Sequence, residues 1–315
     1  ENEVNEEVIA PFLNHIFEII ADGNQEVNDY ILSWVSYILQ NPAGKTEVGI
    51  VINGEQGTGK NIFTNVICKL LGIYANENVN SIENIVGKFN TSLENKKLVI
   101  CNELASADSN KYLDSNKLKS LLTDKRIEIN QKNEPIRKTE NVVNLIFVSN
   151  NIAPVRIDRG DRRYLVTTTS SKRKGDYTYF ESLVKGFDDK FYESLFNFFM
   201  KRDIRSWNSW KIPYTRAKEI VVEASRPSYE SFVRAHKSRF VEGFIREDAF
   251  REYSYWAKNN GFAVCNQNTF GMNLSLYCDY KRLRKDGGRK RYYVLKPEFV
   301  ESFDDDDDES QISLI

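Results

Sequence analysis

The stretch GEQGTGKN, Gly54–Asn61, has the residue types and the spacing of a loop that binds phosphate groups. It matches the pattern G-x-x-x-x-G-K and has Asn61 where Ser or Thr usually follows. Glycines let successive backbone N–H groups converge on phosphates at the start of a helix, and the lysine reaches the β- and γ-phosphates. We therefore predict a nucleotide site rather than a simple glycine-rich turn, with these binding residues: Gly54, Glu55, Gln56, Gly57, Thr58, Gly59, Lys60 and Asn61.

Two further segments end in polar residues that suit phosphoryl transfer. A hydrolytic enzyme with such a loop needs an acid at the end of another strand, and LVICNE ends on Glu103, after Asn102 where Asp is often found. Glu103 is the predicted catalytic base, and the alternative is a solvated acid at a strand end. LIFVSNN ends on Asn150 and Asn151. Either could contact the γ-phosphate or the attacking water, and Asn150 is preferred.

Metal binding is predicted at Asn61 and Glu103. The Asn61 carbonyl oxygen is a hard donor that Mg²⁺ accepts, although the same side chain carries a competing NH₂ group and has a different reach from Ser or Thr. Glu103 would hold the metal through water or orient the attacking water. The four cysteines and two histidines form no pattern typical of a zinc site or a disulfide framework, and reduced thiols fit a cytosol-like setting.

Four arginines lie close together in RIDRGDRRYLV, just after the Asn pair. Guanidinium groups stabilise the charge that spreads over a transferring γ-phosphoryl group, often from a neighbouring subunit. Alone, such a loop is more often a solvated face or a set of internal ion pairs. The position of this loop after Asn150 favours a catalytic role for it, and this choice predicts an oligomer.

Strands and helices must alternate to bring these residues to one sheet edge, and the chain shows that alternation from Val48 onward. Short β-rich runs such as VGIVIN and LVIC are separated by helical ones such as NIFTNVICKLLG. This alternation predicts an α/β fold with a mainly parallel sheet covered on both faces. Before it, apolar positions at helical spacing over residues 11–40 predict an N-terminal helical segment that ends at NPAG.

A hairpin is predicted between Glu103 and Asn150. The run RIEIN alternates, QKNEP turns and IRKTENV starts back, which places Lys132 near the tip. Two interpretations stay open. The hairpin is either polar with an exposed lysine, or it is a loop in which Lys132 contacts DNA phosphates.

The region after residue 228 has three helical patterns followed by two short strands around Asp286-Gly287-Gly288, the order of a winged helix. Its third helix, about 268–277, would be the recognition helix. Basic residues at a hairpin tip can follow phosphates without reading sequence, although a solvated charged face or a protein contact are alternatives. The predicted DNA-binding residues around this wing are Arg282, Arg284, Lys285, Arg289, Lys290 and Arg291, beside Lys281.

The overall charge supports nucleic acid as a partner. The formal charge is −1, from 44 basic and 45 acidic residues, but six of the acids stand together in Asp304–Glu309. Without them 44 basic residues face 39 acidic ones, a net charge of +5. No apolar stretch approaches the roughly 18 residues of a membrane span, and the acidic N-terminus has no signal-peptide pattern. We expect a cytoplasmic protein that is not secreted.

Taken together, GEQGTGKN, LVICNE, the segment LKSLLTDKRIEINQKNEPIRK, LIFVSNN and DRRY resemble a superfamily 3 helicase of the AAA+ type, as in poxvirus-type and phage-type primase-helicases. The leader DGNQEVNDYILSWVSYILQNP resembles the stretch that such proteins carry ahead of the loop. The similarity spans about residues 10–300. Asn61 and Asn102 depart from the family pattern at two positions that bear on metal affinity and turnover.

The resemblance implies an ATP- and Mg²⁺-dependent motor that moves on single-stranded DNA and acts on forked duplex DNA. It implies that the motor is a ring-shaped homo-oligomer, expected to be a hexamer, in the cytoplasm of a host cell. It also implies an N-terminal primase-polymerase that would be absent here, an Arg162 or Arg163 that completes the neighbour's site, and a Lys132 that touches DNA. The alternative is a nucleotide-switched DNA-binding assembly module without unwinding activity. The expected divisions are a helical segment at 1–45, an AAA+ core at 46–205, a connector at 206–227, a winged-helix-like domain at 228–301 and an acidic tail at 302–315.

Overall fold

Apolar runs separated by polar loops fold into one parallel sheet with helices on both faces. The computed structural model describes residues 3–105, 111–285 and 288–303, so the acidic run at 304–309 lies outside the described residues. Two units divide at Ser225 and Arg226. The elements of the first are α1 (Glu6–His15), α2 (Gln25–Gln40), β1 (Gly49–Asn53), α3 (Lys60–Leu71), β2 (Ala75–Ser81), α4 (Glu83–Val86), β3 (Leu98–Ala105), α5 (Lys111–Thr123), β4 (Arg126–Ile129), β5 (Arg137–Glu140), β6 (Asn144–Ser149), β7 (Tyr164–Thr168), α6 (Tyr177–Lys185), α7 (Asp189–Lys201) and α8 (Arg216–Ala224), with a π-helical turn at Ile16–Ile20.

The central sheet has five strands in the order β2-β3-β6-β1-β7, and its neighbouring strands run parallel. The predicted α/β fold with a parallel sheet is therefore confirmed. β6 is paired with β1 on one side and with β3 on the other, although it follows both in the chain. As a result, the carboxyl ends of β1, β6 and β3 are adjacent.

Both faces of this sheet are buried, which explains why its strands are apolar at successive positions. In β1, Ile50 and Ile52 pack with helices α1, α2, α3 and α7, whereas Val51 packs with α5 and α8 on the other face. β3 and β6 alternate in the same way. None of the described helices is both long and apolar enough to cross a membrane.

α8 covers the outer edge of β7. Thr215 Oγ1 donates to the Val166 carbonyl at 2.7 Å, Lys218 Nζ donates to the Tyr164 carbonyl at 2.9 Å, and Val221 is buried in the core. Side-chain donors thus satisfy carbonyls that an edge strand would otherwise leave unpaired. The segment predicted as a connector, 206–227, contributes this helix to the first unit.

β4 and β5 form an antiparallel hairpin, so the hairpin prediction is confirmed. Its strands carry opposite charges across from each other: Arg126 bonds Glu140 at 3.0 Å, and Lys138 lies 3.3 Å from Glu128. Lys132 lies in the connecting turn, next to Asn133, whose φ of 65° is the left-handed conformation that asparagine tolerates.

The second unit packs helices on a small antiparallel sheet of order β8-β10-β9. Its elements are α9 (Ser228–Ala235), α10 (Lys237–Glu242), β8 (Phe244–Ile245), α11 (Arg246–Asn259), α12 (Gln267–Tyr277), β9 (Cys278–Lys285), β10 (Gly288–Leu295) and α13 (Pro297–Ser302). Helix α12 coincides with the predicted third helix and begins at a cap where Asn266 accepts from the Thr269 N–H. The helical pattern of YESFVRAHKSRF is divided into α9 and α10 at His236, whose backbone leaves the helical region and whose ring bonds the Phe232 carbonyl.

Candidate active site

The phosphate-type loop joins β1 to α3 and has a conformation that glycine alone fits at two positions. Gly54 has φ 145°, and a Cβ there would lie 2.0 Å from Thr169 Oγ1. Gly59 has φ 91°, and a Cβ there would lie 2.7 Å from His15 Cε1. Both the backbone conformation and the lack of space therefore require glycine. The predicted order of strand, loop and helix is confirmed.

Two threonines fix the loop to the end of β7. Thr58 Oγ1 donates to the Glu55 carbonyl at 3.0 Å and lies 2.8 Å from Thr169 Oγ1, while the Thr169 N–H donates to the Asn53 carbonyl at 2.8 Å. Thr169 was not among the predicted site residues, because TTTSS, which runs past the end of β7, carries no local signal for a contact this distant in sequence.

Lys60 points into the loop and reaches the end of β6. Its ammonium donates to the carbonyls of Gly54 and Glu55 and to Asn150 Oδ1 at 2.9 Å. Burial lowers the pKa of Lys60, and the nearby carboxylates of Glu103 and Glu55 oppose that shift. The lysine is thus held between the loop and the strand end where phosphates of a nucleotide would add further acceptors.

Asn150 links Lys60 to Glu103. Its Nδ2 donates to Glu103 Oε1 at 2.6 Å, so one side chain bonds the cation through its oxygen and the carboxylate through its nitrogen. Glu103 has φ 43°, in the left-handed region that is unfavourable for a non-glycine residue. Such backbone strain is concentrated at functional sites.

These residues line a cavity of about 650 Å³. The predicted Gln56, Gly57, Thr58, Gly59, Lys60, Asn61, Glu103 and Asn150 all lie on its wall. Residues that were not predicted also line it, among them Asn78 and Asn80 of β2, and Tyr177 and Phe180 of α6. The alternating asparagines of NENVN were the one available sign that an edge strand contributes polar groups to the cavity. No such sign was available for Tyr177 and Phe180. They lie in α6, which comes after the last strand of the sheet in the chain, so no strand pattern includes them.

The cavity wall fits a metal ion that arrives with a nucleotide. Within the described parts of the chain, no group of three His, Cys, Asp or Glu residues could hold a metal by itself. The described wall offers one carboxylate, Glu103, and the exposed amide of Asn61. Asn102 Nδ2 bonds Asn78 Oδ1 at 3.1 Å. Since Mg²⁺ commonly uses one or two protein ligands plus phosphates and water, this donor set suits it.

The arginine-rich loop does not reach the cavity of its own chain. Arg163 pairs with the buried Asp161 at 3.1 Å, and Arg156 pairs with Asp158 at 3.0 Å. Arg162 is exposed, lies 5.7 Å from the ring centre of Trp210, and has no ion pair within the described residues. The two neighbouring arginines therefore differ in their partners: an acid for Arg163 and an aromatic ring for Arg162.

Two basic surfaces lie outside the cavity. Lys132 is exposed at the β4–β5 turn and has no ion pair in the part of the chain that is described. In the second unit Arg282 is paired across β9 and β10 with Arg291, and both are exposed, as are Lys281 and Lys290. The backbones of Arg284, Lys285 and Arg289 lie in the same two strands, but their side chains lie outside the described part.

Comparison with known proteins finds a matching family model and a phage DNA primase-polymerase that is similar in sequence. Residues 52–163 match the model of a family of unknown function, DUF5906. This stretch includes the whole phosphate loop, Glu103, the β4–β5 hairpin and Asn150.

Over 162 residues the chain is 32% identical to the DNA primase-polymerase of Nitratiruptor phage NrS-1, a match that covers 51% of this chain and 22% of the relative. The chain thus spans about a fifth of that relative's length. The fold is similar to apo structures of the NrS-1 C-terminal region: one has a TM-score of 0.65 at 19% identity and covers 93% of this chain and 76% of that chain. A second, the A form, has a TM-score of 0.61 at 19% identity and covers 92% and 76%.

Proposed function

We propose that this chain is the motor part of a DNA replication protein: an Mg²⁺-dependent ATPase of the AAA+ type and superfamily 3 that works as a DNA helicase. The observation that carries the proposal is the hydrogen-bonded series Lys60–Asn150–Glu103, which joins a phosphate-type loop to a carboxylate across three adjacent strand ends. The strand order and the similarity to a phage DNA primase-polymerase support the same assignment.

In this proposal Lys60 and the loop N–H groups bind the β- and γ-phosphates. Glu103 accepts a proton from the attacking water, and the Asn150 N–H bond fixes the orientation of its carboxylate. Because Asn150 also bonds Lys60, the base and the phosphate-binding cation are held in one geometry. Asn61 and Glu103 are the residues that would hold Mg²⁺, which supplies neutralisation of the developing phosphate charge.

A second subunit would complete this site. Lys60 is the one cation on the described wall of the cavity, whereas γ-phosphoryl transfer is strongly promoted by an added guanidinium group. We assign that role to Arg162 of a neighbouring copy rather than to Arg163, because Asp161 already engages Arg163. This assignment requires a homo-oligomer, for which a hexameric ring is proposed.

DNA contacts are assigned to two surfaces. Lys132 would touch single-stranded DNA, and the second unit, with α12 followed by the β9–β10 hairpin, would act as a winged helix on duplex DNA. Its exposed Arg282 and Arg291 would follow phosphates rather than read bases.

The direct test is DNA-stimulated ATP hydrolysis by the parent chain and by Lys60→Ala. We expect the variant to lose activity, because no other cation of the described cavity wall can replace the ammonium. Lys69→Ala is the matched control, since Lys69 lies on the same helix and contacts Tyr192. Equal hydrolysis by the parent and Lys60→Ala would contradict the proposed site.

A second candidate function is a DNA-binding assembly module that uses nucleotide only to change its oligomeric state. Asn61 in place of the usual Ser or Thr favours it, because a weaker ligand for Mg²⁺ suits slow turnover. Strand displacement on a forked substrate separates the two functions. ATP hydrolysis without displacement would favour the module.

A further inference from the structure

We propose that His15 is a positioning residue that sets the shape of the phosphate loop by donating a hydrogen bond to the Gly59 carbonyl. The binding readout below rests on the proposed function, but the structural assignment does not. His15 is the last residue of α1, where the π-helical turn begins, and it is fully buried. His15 lies 44 residues before Gly59 in the sequence but contacts it in the folded protein.

The two contacts of the imidazole define its protonation. Nε2 lies 3.2 Å from the Gly59 carbonyl oxygen, and Nδ1 lies 3.1 Å from the Tyr179 hydroxyl. A carbonyl oxygen only accepts, so Nε2 must carry the proton. In the neutral ring Nδ1 then accepts from Tyr179 O–H. Burial lowers the pKa of His15, opposed by the Gly59 bond and by Glu18, and so favours this neutral form.

The loop packs closely against this ring at Gly59. A Cβ at Gly59 would lie 2.7 Å from His15 Cε1 and 2.8 Å from Phe180 Cε1. Gly59 caps the start of α3 and directly precedes Lys60, and its carbonyl also accepts from the Ile62 N–H at 3.1 Å. Fixing that carbonyl therefore fixes the peptide from which Lys60 and the helix begin.

The Tyr179 ring is itself in contact with a second side chain. Arg173 lies over the Tyr179 ring at 4.7 Å and pairs with Glu18 of the π-helical turn at 3.3 Å. Tyr179 also lines a separate cavity of about 960 Å³, whereas Gly59 lines the nucleotide cavity. His15 thus connects one wall residue of each cavity through its two nitrogens.

The test compares ATP affinity, by calorimetry with Mg²⁺-ATP, in the parent, His15→Leu, His15→Gln and Tyr179→Phe. We expect His15→Leu to weaken binding about tenfold, because one net hydrogen bond to the loop is lost. His15→Gln keeps an N–H donor and should stay within about threefold of the parent, with Tyr179→Phe between the two. Binding by folded His15→Leu at the parent affinity, or a His15→Gln variant as weak as His15→Leu, would overturn the inference.

A second measurement is independent of ATP and of the stability of any variant. Nitrogen-15 NMR of the parent histidine should show a neutral ring protonated at Nε2 at pH 7. A ring protonated at Nδ1, or at both nitrogens, would overturn the inference. Failure of the parent to bind ATP would instead overturn the proposed function, and the NMR result would still decide the role of His15.

Discussion

Around the phosphate loop most basic side chains have acceptors within their own chain, whereas in the β9–β10 hairpin Arg282 stands directly opposite Arg291. Near the loop, Lys60 bonds three oxygens and Lys174 pairs with Glu55. The first arrangement holds side chains in place before a small ligand binds. The second leaves charges facing each other.

Like charges directly opposite on a sheet are destabilising. When a polyanion binds such a pair, it neutralises the two charges and removes their repulsion. Binding also releases counterions from the polyanion, which favours the complex. The comparison thus separates the proposed nucleotide site, whose side chains are already held in place, from the proposed surface for nucleic acid. Substitutions in the first region should therefore lower ATP hydrolysis, and substitutions in the second should weaken DNA binding without changing ATP hydrolysis.

The largest effect is expected at Glu103. Glu103→Gln keeps the size of the side chain but removes the general base, so turnover of ATP should fall about 10²- to 10⁴-fold while ATP affinity changes little. Steady-state hydrolysis and equilibrium binding measure the two quantities. Glu83→Gln, an exposed acid of the same unit, is the control. If Glu103→Gln hydrolyses ATP at the parent rate, Glu103 is not the catalytic base.

Arg162 is the exception within the first region, because it lies against Trp210 and not against an acid. Arg162→Ala should lower hydrolysis about 10²-fold or more, if it acts on a neighbouring site. Mixing it with inactive Lys60→Ala should restore part of the activity, since each variant supplies what the other lacks. If the mixed oligomers regain no ATP hydrolysis, Arg162 does not act on a neighbouring subunit.

The paired arginines of the second region should affect DNA alone. Arg282→Gln with Arg291→Gln should weaken duplex binding about tenfold or more, and should reduce the slope of log affinity against log salt by about 1.8. Hydrolysis of ATP without DNA should not change. Arg251→Gln, which removes an arginine paired with Asp248, is the control. An unchanged salt slope would show that this hairpin does not bind phosphates.

The smallest effect is expected at the β4–β5 hairpin. Lys132→Ala should weaken single-stranded DNA binding a few-fold, equivalent to about one phosphate contact. Lys138→Ala removes a lysine that already faces Glu128, and it should leave DNA binding nearly unchanged. Equal effects of the two variants, in a binding assay at fixed salt, would mean that the uncompensated charge at the tip has no special role.

Local patterns were sufficient to predict the elements that carry the site. Apolar runs followed by polar residues predicted β1, β3 and β6, and alternation with a turn predicted the β4–β5 hairpin. The order of the strands was not predictable, because it depends on which faces and edges become buried together. β6 therefore brings Asn150 between Lys60 and Glu103, a contact that no local pattern encodes.

The remaining parts of the site come from elements whose own sequences look structural. His15 stands on an apolar helix face, Thr169 follows a strand, and Asn78 lies in a polar edge strand. Their roles depend on contacts made 24 to 111 residues away in sequence. The different partners of Arg162 and Arg163 were likewise invisible, because adjacent residues of one type have identical local patterns.

The contact between Thr58 and Thr169 has a consequence for the order of folding. These residues are 111 positions apart, and β1 completes its pairing only when β6 and β7 have joined it. Contacts of such long separation form slowly, since a large loop must close first. During synthesis, a nascent chain that ends at β6 would already carry the whole GEQGTGKN motif without the strand end that shapes it. The proposed binding of nucleotide would therefore begin late in synthesis, only once the tertiary structure around the loop has formed.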